Sequence, residues 1–313
     1  MTASQHPKAK KSLGQHFLTD SYVVDTIVEG VLVRSQRASY DSSVYSTSRA
    51  SNDSSASSSS LSKLSPKNEP TRRLVEIGPG KGILSKPLVA LGWPTTLLEI
   101  DPRMVEILRK EVIPHAEGPI QLLEHDVLSS DWWLKERQWA DHVAPESTLE
   151  LVGNLPYYIT SPILFAILER RTSIERATLM IQKEVADRIL APAGTKTYGI
   201  LSVQCQLMAS VKHLMDVPST AFDPPPNVES SVIQCTFDKP SLPFDDAILK
   251  KIVRTAFQQR RKKLSNALST LLDVEAREAA TQQLGLSFDQ RAEQWTPADY
   301  ASLSEWYQKT MRS

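Results

Sequence analysis

The 313-residue sequence predicts an α/β protein, an open and largely parallel sheet followed by a small all-helical segment. Three observations carry that expectation. Apolar runs of strand length alternate with helically spaced apolar positions from Arg73 to Phe237, the pattern of βα units. Successive runs end in a glycine, an acid or an amide (Gly78, Glu99, Asp126 and Asn154), and open α/β sheets bind ligands just outside their strand carboxyl ends. Beyond Phe244 only helical spacing remains: Ile248, Ile252, Val253, Ala256 and Phe257, then Leu264, Leu268 and Leu271, and finally Tyr300, Leu303 and Trp306.

Composition bounds what such a protein does. A hydrophobic content of 41% suits a soluble globular chain with a sizeable core. The formal net charge is zero, yet residues 1–19 hold lysines and no acid, and seven basic residues stand without an acid between Ala247 and Leu272. Overall neutrality therefore does not exclude a nucleic-acid partner. Cys205 and Cys235 are far apart and show no ligand spacing, which argues against a disulfide framework and a zinc site. No apolar run approaches the ~18 residues of a membrane span, and the N-terminus lacks the apolar core of a signal peptide, so a cytoplasmic protein is expected.

Residues 1–34 read as a basic N-terminal arm and a first helix. Lys10 and Lys11 lie in the arm, which suits phosphate contact. Tyr22, Val23, Ile27, Val28 and Val31 then recur at helical spacing, with Asp20 or Ser21 as cap. Residues 35–69 read as a disordered insertion: fifteen serines lie between positions 35 and 65, with too few apolar side chains to offset the entropy of ordering.

The Rossmann-like part is expected over 70–238. Arg73 to Ile77 is a strand running into Gly78-Pro79-Gly80-Lys81-Gly82, where glycines permit positive φ and close approach to a ligand, and a helical pattern follows. Ile83 occupies the place of the third glycine of a dinucleotide fingerprint, and the Walker Lys-Ser/Thr pair is missing, which disfavours both. The strand Thr95 to Ile100 puts Glu99 where such folds bind a ribose diol, and Ile120 to Leu123 leads to His125-Asp126. Each acid has a plainer reading as a loop cap. Trp132, Trp133 and Trp139 suggest a surface helix and loop.

Leu151-Val152-Gly153-Asn154-Leu155-Pro156-Tyr157 is the stretch most suggestive of chemistry. Pro156 stiffens the turn and biases Leu155 toward extended backbone, so the Asn154 side-chain oxygen and a neighbouring carbonyl can point the same way beside Tyr157. Two acceptors next to an aromatic plane suit a planar ligand bearing an NH2 group, such as adenine. An ordinary loop capped by Asn is the alternative, and Tyr158 is expected to pack.

Ala177 to Ile181 and Ser230 to Phe237 read as later strands. Between them a proline loop, Ala221 to Val228, would hold Phe222 outward, where an aromatic can stack on a base; packing beneath the loop is the alternative. In the helical domain, 239–313, the run Arg260-Arg261-Lys262-Lys263 is costly unless solvated or facing phosphates.

The order and spacing of these motifs resemble the bacterial small-subunit (16S) rRNA adenine N6,N6-dimethyltransferases over nearly the whole chain. The segments that carry the likeness are Leu13 to Leu18, Glu76 to Gly82, Glu99 to Asp101, Asp126, Asn154 to Tyr157, Gln182 to Val185, Tyr198-Gly199, Phe222 to Pro226 and Phe257 to Leu264. The resemblance implies a Rossmann-like S-adenosylmethionine-dependent methyltransferase sheet with no metal, and a monomer acting on 16S rRNA in the immature 30S subunit. It implies that His16 and Leu18 contact the cofactor, Gly78 and Gly80 approach its methionine part, Glu99 holds the ribose diol, Asp126 binds the adenine amine and Asn154 borders the methyl group. Asn154, Leu155, Pro156, Tyr157 and Phe222 would form the catalytic end, with Lys10, Lys11, Arg260, Arg261, Lys262 and Lys263 on RNA. The chain departs from the family in its serine-rich insertion, in Ser265 where another arginine is common, and in His16 for a common asparagine.

Overall fold

A computed structural model describes residues 15–32 and 71–311; Lys10, Lys11 and the serine-rich segment 35–69 lie outside the described residues. The chain opens with β1 (Phe17–Leu18) and α1 (Ser21–Leu32), then passes through β2 (Arg72–Ile77), α2 (Ser85–Val89), β3 (Thr95–Glu99), α3 (Pro102–Glu111), β4 (Ile120–Glu124), α4 (Asp131–Val143) and β5 (Thr148–Asn154). It continues with α5 (Thr160–Glu169), β6 (Arg176–Gln182), α6 (Lys183–Leu190), α7 (Ile200–Met208), β7 (Ser210–Val217), β8 (Phe222–Asp223) and β9 (Ser230–Thr236). The last helices are α8 (Asp246–Gln258), α9 (Leu264–Ala267), α10 (Val274–Leu284) and α11 (Pro297–Met311).

Seven strands form one mixed sheet in the order β4-β3-β2-β5-β6-β9-β7. The first five pair in parallel and β9 runs antiparallel to both its neighbours. The chain leaves β2 in one direction across the sheet to β3 and β4, and returns on its other side at β5. The carboxyl ends of β2 and β5 therefore flank a topological switch point, which is where such sheets open a crevice. Helix starts are set locally: Asp101 caps α3 through the Arg103 amide, and Asp245 and Asp273 cap α8 and α10.

One face of the sheet buries α1, with Val24, Ile27 and Val31 against Leu74, Val152, Met180 and Val232. The other face carries a larger apolar cluster that runs from Leu151 and Leu179 through α5 and α7 to Ile252, Trp295, Tyr300 and Leu303. The last strand of the sheet ends at Thr236, but the core does not stop there. At the sheet centre Arg176 and Glu150, both almost fully buried, pair at 3.0 Å, and Gln234 donates to the Gly30 carbonyl at 2.8 Å, which ties α1 to the sheet.

The edge strand β7 was not expected: its sequence, SVKHLMDV, alternates poorly because much of it is exposed. The tryptophan region also differs from expectation. Trp132 is fully buried in the main core with Nε1 donating to the Val127 carbonyl at 2.9 Å, and it stacks on Trp133 at 3.9 Å, so α4 is an anchored helix.

Gly153 pairs with Ile77 across β2 and β5, and a Cβ at Gly153 would lie 2.5 Å from the Ile77 carbonyl oxygen. Neither backbone can retreat without breaking the ladder. Gly153→Ala is expected to destabilise the fold by roughly 2–4 kcal/mol, an overpacking cost at the upper end of the usual range. A urea midpoint matching wild type would refute this close approach.

Candidate active site

The strand tips converge on one pocket lined by Gln15 to Leu18, Glu76 to Lys81, Glu99 and Ile100, His125 to Leu128, and Asn154 to Ile159. His16, Leu18, Gly78, Gly80, Glu99, Asp126, Asn154, Leu155, Pro156 and Tyr157, all singled out from sequence, are thus brought together. Phe222 is not among the lining residues.

Gly78 and Gly80 take φ of 69° and 56°, left-handed values that a side chain would strain. The tight turn aims the Gly80 amide at Glu99, whose Oε2 accepts it at 2.9 Å, while Oε1 accepts the amides of Ile100 and Asp101, each at 2.9 Å. A carboxylate offers about four lone-pair directions, so one remains on Oε2. Burial raises the Glu99 pKa and these three amides oppose the rise. Asp126 is exposed, lines the pocket and accepts the Leu128 amide at 2.9 Å through Oδ1. Ile100 and Leu128 flank the two acids with 48% and 42% of their surface exposed, an apolar pair suited to the faces of a planar ring.

Asn154 Nδ2 donates to the His16 carbonyl at 3.2 Å, which fixes the amide and leaves Oδ1 free to accept. The Leu155 amide is spent on the Met180 carbonyl at 3.0 Å. Tyr157 is held at two points: its hydroxyl shares a 2.6 Å hydrogen bond with the fully buried Ser230, and its ring stacks on His16 at 5.7 Å and 21°. Burial raises the Tyr157 pKa, so the phenol stays protonated. His16 Nδ1 lies 2.8 Å from the Pro224 carbonyl and must donate to it. The N-terminal segment is anchored further by the β1–β8 ladder, Phe17 with Asp223 and Leu18 with Phe222, and by Gln15 donating to Asp101 at 3.0 Å. Arg103 holds the Asp101 carboxyl at about 2, well below its usual value, so that anchor is ionised.

Two expectations are corrected here. Phe222, expected to stand outward, is 4% exposed and packs with Leu18, Val217 and Ala221, because the β1–β8 ladder turns it into the core rather than to the pocket. Tyr158, expected to pack, is 58% exposed at the pocket rim. The basic run is also divided. Arg260 is turned inward, its Nη2 donating to the Lys196 carbonyl at 2.6 Å and its Nε 3.5 Å from Glu293, and Lys263 pairs with Asp289 at 2.9 Å. Arg261 and Lys262 are exposed, with no ion pair among the described residues.

The sequence reading gives Glu76 a place in a motif but no role in the site, though an acid inside the apolar strand Leu74-Val75-Glu76-Ile77 is a visible signal. Its side chain lines the pocket at 1% exposure, and its Oε2 finds no hydrogen-bond partner among the described residues. Burial pushes its pKa from the usual 4.5 up to about 8; the nearby Ser85 hydroxyl opposes this and Glu99 adds to it. Such an orphaned carboxyl is a ready partner for a cationic ligand group.

Between pH 4.5 and about 8 the folded protein keeps the Glu76 proton and the unfolded chain does not, so this group's contribution falls as pH rises through that window. Glu76→Gln removes the penalty. Its thermal midpoint, compared with wild type at pH 5 and pH 8, is expected to gain at pH 8 by the equivalent of a few kcal/mol; an equal difference at both pH values would refute a buried, proton-holding Glu76.

A family model described as ribosomal RNA adenine dimethylase matches residues 6–309. A protein of Xanthomonas campestris pv. campestris (strain B100) named ribosomal RNA small subunit methyltransferase A is 37% identical over 306 residues, covering 97% of this chain and 98% of the relative. A protein of the same name from Xanthomonas oryzae pv. oryzae (strain PXO99A) is 36% identical over the same length. Among solved structures, a dimethyladenosine transferase from Plasmodium falciparum superposes with a TM-score of 0.68 at 20% identity, over 94% of this chain and 98% of that one. The 23S rRNA methyltransferase ErmE does so with a TM-score of 0.59 at 22% identity, over 92% and 98%. At these identities the two structures speak for the fold alone.

Proposed function

The chain belongs to the ribosomal RNA adenine dimethylase family, and from that membership we propose that it methylates N6 of adenine in small-subunit ribosomal RNA with S-adenosylmethionine as donor. The finer reading is that two adjacent adenosines near the 3′ end of 16S rRNA become N6,N6-dimethyladenosines during assembly of the 30S subunit, with the enzyme acting as a cytoplasmic monomer. Among the described residues no helix is long and apolar enough to cross a membrane. The observation that carries the site assignment is the Asn154 amide, whose nitrogen is spent on the His16 carbonyl so that Oδ1 is left to accept, in a pocket also lined by Tyr157, Glu76, Glu99 and Asp126.

The residues present fit the cofactor. The remaining lone pair on Glu99 Oε2 accepts one ribose hydroxyl, a narrower role than holding both. Asp126 takes the exocyclic amine of the cofactor's adenine, Ile100 and Leu128 cover its faces, and the orphaned Glu76 carboxyl meets the cationic amino-acid end. When bound, S-adenosylmethionine supplies a methyl group on sulfonium, with a neutral thioether as leaving group.

The chain's own task is to make the target nitrogen nucleophilic, because the N6 lone pair is delocalised into the adenine ring. Asn154 Oδ1 and the Leu155 carbonyl each accept one N6 hydrogen, which draws the nitrogen toward tetrahedral geometry and aims its lone pair at the methyl. Tyr157 stacks on the flipped base, worth roughly 1–3 kcal/mol, and Ser230 and His16 keep its ring in place. Positioning supplies the acceleration. Arg261 and Lys262 hold the RNA backbone, whereas Arg260 braces the loop at Thr195 and Lys196.

Methyl transfer to small-subunit RNA by Asn154→Ala is expected to fall roughly 100-fold or more, with cofactor affinity near wild type. Turnover near wild type, or transfer to large-subunit RNA instead, would overturn the assignment. Replacing Arg261 and Lys262 with alanine should weaken RNA binding and lower the slope of log K against log salt by about 1 per residue. An unchanged slope measured by filter binding would remove these residues from the interface.

A further inference from the structure

The cofactor's amino-acid end is zwitterionic, and the residues so far assigned answer only its cationic half. A carboxylate brought into this pocket meets Glu76, Glu99 and Asp126, all of which repel it when ionised. It needs a cation or a cluster of free N–H donors. The glycine turn is the obvious source of amides, but those amides are committed: Gly78 donates to the Leu98 carbonyl, Gly80 to Glu99 and Gly82 to the Pro79 carbonyl, each at 2.9 Å. His125 Nε2 accepts from the Lys135 ammonium at 2.5 Å and is committed there.

Among the described residues, Lys81, on the turn between Gly80 and Gly82, is the one lining residue that carries a permanent positive charge. Its Nζ rests over the Phe17 ring at 4.3 Å and has no ion-pair partner among the described residues. A cation held only by a ring face is loosely directed, and a lysine stem swings readily to a stronger partner. Phe17 itself is fixed by the β1–β8 ladder and by packing on Met104 and Ile107, so the ammonium waits at a defined place on the pocket wall.

The geometry points to Lys81 as the residue that binds the carboxylate of the cofactor's amino-acid end, opposite in role to Glu76; this rests on the S-adenosylmethionine reading above. Lys81 and Glu76 together then distinguish a ligand with an intact amino acid from a bare thionucleoside.

The test is calorimetric binding of three ligands: S-adenosylhomocysteine, its decarboxylated analogue S-adenosyl-3-thiopropylamine, and 5′-methylthioadenosine, which lacks the amino-acid end. Lys81→Met should weaken S-adenosylhomocysteine about ten-fold and leave the other two within about two-fold of wild type, while Lys81→Arg restores most of the loss. Glu76→Gln should weaken both amine-bearing ligands and spare 5′-methylthioadenosine. Equal weakening of all three by Lys81→Met would mean general damage to the pocket and would overturn the inference. So would unchanged S-adenosylhomocysteine binding with a raised KM for RNA, which would put Lys81 on a phosphate. Failure of the wild type to bind any of the three would remove the cofactor reading and this inference with it.

Discussion

The close approach of two backbones, β2 and β5, is the constraint on which the rest of the molecule depends. With no side chain on Gly153, the strand that carries Asn154 lies hard against Ile77, and the Asn154 carbonyl comes within 3.6 Å of where a Cβ on Gly78 would sit. The glycine turn and the amide motif are therefore neighbours because nothing larger than hydrogen fits between their strands. Parallel pairing does the remainder. It points every tip from β2 to β5 in one direction, so that Glu99, Asp126 and Asn154 reach the same crevice from well-separated places in the sequence.

The second dependence runs through the N-terminal segment. Four residues, Gln15 to Leu18, contact α3, the amide of Asn154, the ring of Tyr157 and the β8 strand. Asn154 alone could present either end of its amide, and a carbonyl from His16 resolves that choice in favour of a free oxygen. Tyr157 is likewise held from outside its own loop, by Ser230 below and His16 beside it. The acceptor geometry thus comes from segments remote in sequence, each satisfying a polar group that would be costly to leave unpaired.

That division explains what was legible in the sequence. Strand tips, glycine turns and the helical ending follow from local rules, apolar period and backbone freedom, and most of the expected elements and pocket residues stand where those rules put them. The edge strand β7 has no clean alternation because one side of it faces water. Phe222 looked outward from its proline loop, but its fate is set by pairing with Leu18 some two hundred residues away, which no local pattern encodes. Arg260 read as one cation in a run of four, and only the folded loop at Thr195 and Lys196 shows it to be a brace. Tyr158 is the reverse case, an aromatic residue that looked fit for the interior and stands at the rim. Glu76 was readable in principle, since a lone acid in an apolar strand has to answer to something, yet its unpaired oxygen is visible only in three dimensions.

The apolar cluster that crosses from the sheet into the C-terminal helices makes the molecule behave as a caliper with fixed jaws. Arg261 and Lys262 sit on one jaw and the Asn154 pocket on the other, and the shared core removes the hinge that a separate helical domain would provide. The separation between that exposed basic pair and the pocket is then a property of the protein, set once on folding. On the role proposed for that pair, an RNA whose target adenine lies at the wrong distance from the gripped phosphates is rejected by length.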